Sequence, residues 1–262
     1  MFTSYLCSGF LLLVVVVVVV IVVVRVRLTY NFNRRGGYTW PPWSGDEDYR
    51  WEFVQKGEYL KILTNPIIWV LFNFLFISFY QQFLLLAIVS PSFVAWSMSK
   101  IPECMDAVYS PQLNIYDVSA TMLFIFFLIV ESMADNQQYL FQNEKYRRRQ
   151  SKETTMMEEE ESHFKDGFCQ TGLFSIVRKP NYAAEQSIWV VYYIFSVGAS
   201  GGKILLNWSI IGCTLLILLF QGSGRLTESI TVKKYPKYVN YQNMVPLYLP
   251  TIASLKRKFK SD

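Results

Sequence analysis

The chain has 262 residues, is 52% hydrophobic and 17% aromatic, and carries a formal net charge of +5. Its apolar residues are gathered in blocks, which excludes an ordinary soluble domain and makes lipid the solvent for much of the chain. Four scattered cysteines without a CxxC and a single histidine, His163, give no expectation of a disulfide framework, a metal centre or a Ser-His-Asp triad.

Five apolar blocks follow one another. The first runs from Phe10 to Val24, includes the valine run Val14–Val20, and is closed by Arg25 and Arg27. Lacking a basic leader and a small-residue cleavage site, it reads as a lipid-facing helix and not as a signal peptide. Residues 25–65 then form an interfacial aromatic loop. Gly36-Gly37 and Pro41-Pro42 exclude a long helix there, and Trp40, Trp43 and Trp51 suit the headgroup region. A short helix is predicted from Tyr49 to about Leu63. The second block runs from Pro66 to about Val89 and the third from about Val118 to Val130. Residues 136–171 are polar, with the opposite charge blocks Lys145–Lys152 and Glu158–Glu161, and predict a solvated, ion-paired extension. The fourth block, from about Ile188 to Val197, and the fifth, Ile204 to Phe220, are joined by a tight turn at Gly198, Gly201 and Gly202. A bilayer core of about 30 Å needs roughly 20 apolar residues as a helix, so the third and fourth blocks must recruit polar flanks.

Charge placement orients the blocks. With the N-terminus outside and all five spanning, one face receives 7 basic residues in Arg25–Lys61, 8 in Lys145–Lys179 and 8 in Arg225–Lys260. The other face receives only Lys100 and Lys203. This is a positive-inside pattern, and it predicts an all-α, single-domain membrane bundle of about five transmembrane helices whose basic face is cytosolic or matrix. The net charge is thereby explained by topology; the expected partners are membrane lipids, not nucleic acid.

Polar groups adjoin the blocks at four places on that basic side: Arg27 with Tyr30 to Asn33; Glu131 and Asp135; Arg178, Asn181, Tyr182 and Glu185; Arg225 and Glu228. Ionisable groups at such depths point to a site. Guanidinium grips phosphate, and carboxylates and amides take ribose hydroxyls or an amide, so a nucleotide cofactor suits the set. Neither GxGxxG after a strand nor GxxxxGK[ST] is present, which excludes the usual soluble nucleotide folds.

Three motifs carry a resemblance. GLFSIVRKPNYAAEQSIW (Gly172–Trp189) resembles the GLF-x(4–5)-R-x-PNY-x-x-E-x-x-W signature of the DUF1295 branch of the steroid 5α-reductase superfamily. ESITVKKYPKYVNYQNMVPLYLP (Glu228–Pro250) resembles that branch's C-terminal signature, and RLTYNFNRRGGYTWPPWSGDEDYRW (Arg27–Trp51) is similar to a segment of its eukaryotic members. Residues 172–250 thus form the signature region. The resemblance implies a helical bundle like the C-terminal core of the 5α-reductases, with an NADPH site opening to the basic face. It further implies reduction of a C=C bond conjugated to a carbonyl in a steroid or other lipid, in the endoplasmic reticulum or mitochondrial inner membrane. Carried over by position, Asp135, Arg178, Asn181, Tyr182, Glu185, Tyr235 and Tyr241 would bind the cofactor, with Tyr30 facing it. Family reductases carry further helices ahead of the first motif, one of which supplies a glutamate to the substrate carbonyl. The segment before Arg25 has no Asp, Glu or His, leaving Tyr30, Glu52, Glu58 and Glu131 as candidates for the catalytic proton donor. The alternative expectation is a catalytically degenerate accessory subunit of a larger membrane complex, with partner subunits covering the first helix.

Overall fold

A computed structural model describes residues 22, 26–34, 36–41, 49–58, 60–100, 108–110, 112–151, 164–252 and 254. The first apolar block apart from Val22, and Cys7, Trp43, Cys104, Lys152 and the acidic run Glu158–Glu161 with His163, lie outside the described residues. Among those described, every regular element is helical. Helix α1 spans 26–34 and α2 Tyr49–Gln55. Helix α3 runs Pro66–Met98, with a π-helical stretch Asn73–Tyr80. Then come α4 (Ile115–Ser151), α5 (Pro180–Gly198), α6 (Ile210–Lys234) and α7 (Tyr238–Met244).

Three of these are long and apolar enough to cross a membrane: Pro66–Met98, Ile115–Arg148 and Ile210–Lys234. The second and fifth blocks correspond to the first and last of them. The third block reads as short because hydropathy fades after Val130, yet the helix continues for a further 21 residues to Ser151. Gln, Glu, Lys and Arg are good helix formers, so polarity ends the apolar stretch without ending the helix. The fourth block is a helix of 19 residues, but its polar first turns, PNYAAEQS, leave too short an apolar stretch to span by composition. The predicted loop 25–65 holds two short helices and a 3-10 turn at Lys61–Thr64. Its Trp40-Pro41 bond is cis.

Helix starts follow side-chain chemistry. Asn65 caps α3, its Oδ1 accepting from the N–H of Ile67 (2.9 Å) and Ile68, with Pro66 at the first helical position. Asn114 and Asp117 cap α4 reciprocally: Asn114 Oδ1 accepts from Tyr116 N–H (2.9 Å) and Asp117 Oδ2 from Asn114 N–H (3.1 Å). Gly201 and Gly202 take positive φ in the turn after α5, where only glycine is unstrained.

The chain divides into two units, residues 1–125 with 188–219, and residues 126–187 with 220–262. In the first, Pro91 interrupts α3, and its missing N–H frees the carbonyl of Ala87. Ser90 Oγ donates to that carbonyl at 2.7 Å, and Gly212 packs so closely that a Cβ there would overlap the same oxygen. Val94, Ala95, Met98 and Ala199 form a core beside it, and Tyr193, Val197 and Cys213 another. In the second unit, Ala134, Phe141, Cys169 and Phe174 form one core and Phe168, Tyr238, Tyr241 and Val245 a second. The candidate site grows from these two.

Candidate functional site

The second unit places the central signature against the C-terminal one. Gly172 takes φ +62° and opens a 3-10 turn, Gly172–Ser175. Gln137 on α4 holds this turn by accepting from Leu173 N–H at 3.0 Å. Tyr241 donates its hydroxyl to the Phe174 carbonyl. Past the turn, Arg178 N–H donates to Pro246 O (2.8 Å) and Lys179 N–H to Leu247 O (3.1 Å). The strap after α7 is thereby laced to the entry of α5.

At the crossing lies a buried ion pair. Arg178 Nε and Nη2 donate to Glu228 Oε1 (2.6 Å) and Oε2 (2.9 Å), the fork-to-fork arrangement. Its Nη1 donates to the carbonyls of Gln242 (2.9 Å) and Val245. Glu228 also accepts from the Tyr238 hydroxyl (3.0 Å) and the Gln242 side-chain amide (3.0 Å). The side chains of Arg178 and Glu228 are 11% and 9% exposed. Burial acts to lower the guanidinium's pKa, but the hydrogen bonds and charge of Glu228 outweigh it and raise the pKa above the ordinary arginine range. Burial also pushes the Tyr238 hydroxyl upward, Glu228 adding to the effect, and does the same to Tyr241.

Arg178 therefore donates four of its N–H groups to the protein itself. The sequence assigns it to cofactor phosphate; the geometry makes it the clamp of the two signature segments. Tyr241 is buried with its hydroxyl on a main-chain carbonyl. Tyr235 packs against Phe168, its ring beneath the ammonium groups of Lys145 and Lys234 at 5.8 and 5.7 Å. Both tyrosines serve the core. Glu228 is the residue that sequence reasoning placed only at a span end; its signal was its position at the head of the C-terminal signature.

The remaining candidates form a second cluster. Asp135 (7% exposed) and Glu131 (4%) lie one turn apart on α4, and Asn181 and Glu185 one turn apart at the start of α5. Asn181 Nδ2 donates to Asp135 Oδ1 at 3.3 Å, joining the two helices. Tyr182 meets Phe220 edge-on at 4.9 Å between ring centres, and Lys179 Nζ lies 5.1 Å from the Tyr182 ring. Carboxylates midway along α4 and early in α5, with a carboxamide at the first turn of α5, are hydrogen-bonding groups without net positive charge. They suit hydroxyls and amides, and phosphate poorly.

Tyr30, Glu52 and Glu58 belong to the first unit. Tyr30 is 62% exposed with the Arg34 guanidinium 5.5 Å from its ring. Glu52 is exposed and paired with Lys56 at 2.6 Å, one turn along α2, which lowers its carboxyl pKa. That pairing favours the charged form and works against Glu52 as a proton donor. Glu58 is exposed. Among the described residues no group of three or more His, Cys, Asp and Glu side chains could hold a metal ion.

Residues 3–245 match a family described as "Protein of unknown function (DUF1295)". An uncharacterized protein of Schizosaccharomyces pombe is 34% identical over 228 residues, covering 87% of this chain and 60% of its own length. No solved structure matches the chain.

Proposed function

The chain belongs to the DUF1295 family, and we propose that it is an NADPH-dependent membrane reductase-like protein, with a bundle like the 5α-reductase core, acting on a C=C bond of a steroid or other lipid enone. The observation that carries this reading is the Asp135–Asn181 contact, a buried carboxylate and a carboxamide presented together by α4 and α5. Asn181, Asp135 and Glu185 would take the amide and hydroxyl groups of the dinucleotide. Arg178 does not fit the phosphates, because Glu228 and two carbonyls already hold it. That role passes to Arg225, which is exposed one turn before Glu228.

The cofactor, when bound, supplies a hydride. Asp135, Asn181 and Glu185 would orient it, and Glu131, buried one turn from Asp135 on α4, would be the proton donor. A second reading, an accessory subunit of a larger membrane assembly, has support from α3, where only 11% of the most apolar window is buried. The chain spans 60% of the relative's length, so the activity of the longer protein remains a proposal for this chain. The two readings separate in a steady-state NADPH oxidation assay on purified protein with enone sterols and fatty enones. Turnover near about 1–10³ s⁻¹ supports the reductase, and bound NADPH without turnover supports the accessory subunit.

A further inference from the structure

The strap after α7 turns back along α6. The Tyr248 hydroxyl donates to the carbonyl of Phe220 at 2.6 Å, and a Cβ on Gly224 would overlap the same hydroxyl. The strap therefore lies against the 220–224 stretch of α6. Phe220 ends the fifth apolar block, and Arg225 is the first charged residue after it. The rise from Phe220 to Arg225 is about 7.5 Å at about 1.5 Å per residue. The hydrocarbon edge on the basic side falls in that interval, because apolar length matches the bilayer core and an unpaired charge is costly inside it. Tyr248 thus sets the strap at the level of the lipid surface.

Two large apolar side chains stand on the strap there. Leu249 is 80% exposed and Ile252 74%. Single exposed apolar residues are ordinary on a wet surface. These two lie on a segment held by Tyr248 and by the lacing of Pro246 and Leu247 to Arg178 and Lys179, so they cannot fold away. Thr251 and Ser254 then cap one another. Thr251 N–H donates to Ser254 Oγ (3.0 Å) and Ser254 N–H to Thr251 Oγ1 (3.2 Å), the reciprocal bonds that open a helix, and Ile252 and Ser254 are helical. The sequence that follows carries Leu255 and Phe259, three and seven positions after Ile252, among Lys256, Arg257, Lys258 and Lys260. That is the composition of a basic, interfacial amphipathic segment.

We infer that the segment from Leu249 onward is an interfacial anchor, and that its partner is the anionic phospholipid of the leaflet on the basic side. Leu249 and Ile252 enter the boundary between headgroups and acyl chains, where the strap already holds them. The four basic residues that follow meet lipid phosphates and carboxylates at the same surface. A zwitterionic leaflet would accept the apolar side chains but give the cations no net countercharge. The anchor holds the strap, and with it the lacing to α5, at the membrane surface, whatever the chain's activity.

The test uses the full chain with its native cysteines replaced, reconstituted in phosphatidylcholine vesicles with and without phosphatidylserine. Spin labels on Leu249→Cys and Ile252→Cys should relax with oxygen, which concentrates in lipid, and little with a water-soluble nickel chelate. A label on Asn240→Cys, exposed on α7, should show the reverse. A second readout leaves Leu249 and Ile252 in place and compares spin-labelled phosphatidylserine with spin-labelled phosphatidylcholine for motional restriction at the protein surface. The serine lipid should be preferred. Replacing Lys256, Arg257, Lys258 and Lys260 together by Gln should lower that preference about fivefold or more, the worth of even one basic residue near an anionic surface. Nickel access at 249 and 252 equal to that at 240 would overturn the inference. So would shielding of both labels from oxygen and nickel alike, which means that protein covers them, or a lipid preference unchanged by the four substitutions.

Discussion

Removing Glu228 is the sharpest perturbation of the second unit. Glu228→Ala leaves four donors without their acceptor: Arg178 Nε and Nη2, the Tyr238 hydroxyl and the Gln242 amide. Arg178 keeps its two carbonyl partners, so its charge is half-solvated by the main chain. Breaking a buried pair by deleting one partner costs about 3–5 kcal/mol, because the other charge stays behind. For a protein of this size that lowers Tm by roughly 6–20 °C. The double variant Arg178→Met with Glu228→Leu removes both charges and should cost clearly less than the sum of the single changes. Thermal unfolding in detergent, followed by intrinsic fluorescence, reads both. A loss below about 1 kcal/mol for Glu228→Ala, the range of an exposed pair, would refute the reading of this pair as the clamp of the two signature segments.

Alkaline pH should unfold the second unit early. Burial raises the Tyr238 and Tyr241 pKa values above the unfolded value near 10, so their contribution is complete below about pH 10 and declines above it as the unfolded chain releases protons first. Melting curves between pH 8 and 11 with absorbance at 295 nm should show tyrosinate appearing only with unfolding for these two residues; free titration in the folded protein would contradict their burial. Gly212→Val places carbon against the main-chain oxygen of Ala87 and should destabilise by at least about 1–3 kcal/mol, whereas Gly222→Ala, which meets nothing within 4 Å, should be neutral or stabilising. Cys169, buried with its thiol pushed upward by burial, should resist maleimide in the folded state and react on unfolding.

The helical, membrane character of the chain was legible because apolar block length maps directly onto bilayer thickness. Block boundaries were less so. The end of α4 is set by helix propensity and by contacts such as Gln137 with Leu173, and neither alters hydropathy. Within the signatures, residue identity marked Arg178, Asn181 and Tyr241 as candidates, but not what they bind. Arg178 and Glu228 are 50 positions apart, and only the fold shows that the positive charge is already matched. The Asp135–Asn181 contact was half legible: both were candidates, but no spacing rule links residue 135 to residue 181.

Titrating NADPH into the purified full chain by calorimetry tests the central claim most directly. The account expects saturable binding that falls on the order of tenfold or more in Asn181→Ala or Asp135→Asn, as loss of a buried or charge-assisted hydrogen bond of about 1.5–3 kcal/mol requires. Leu205→Ala, exposed in the first unit, should bind as the wild type does. Absence of NADPH binding by folded wild-type protein, or equal affinity in Asn181→Ala and Asp135→Asn, would contradict it.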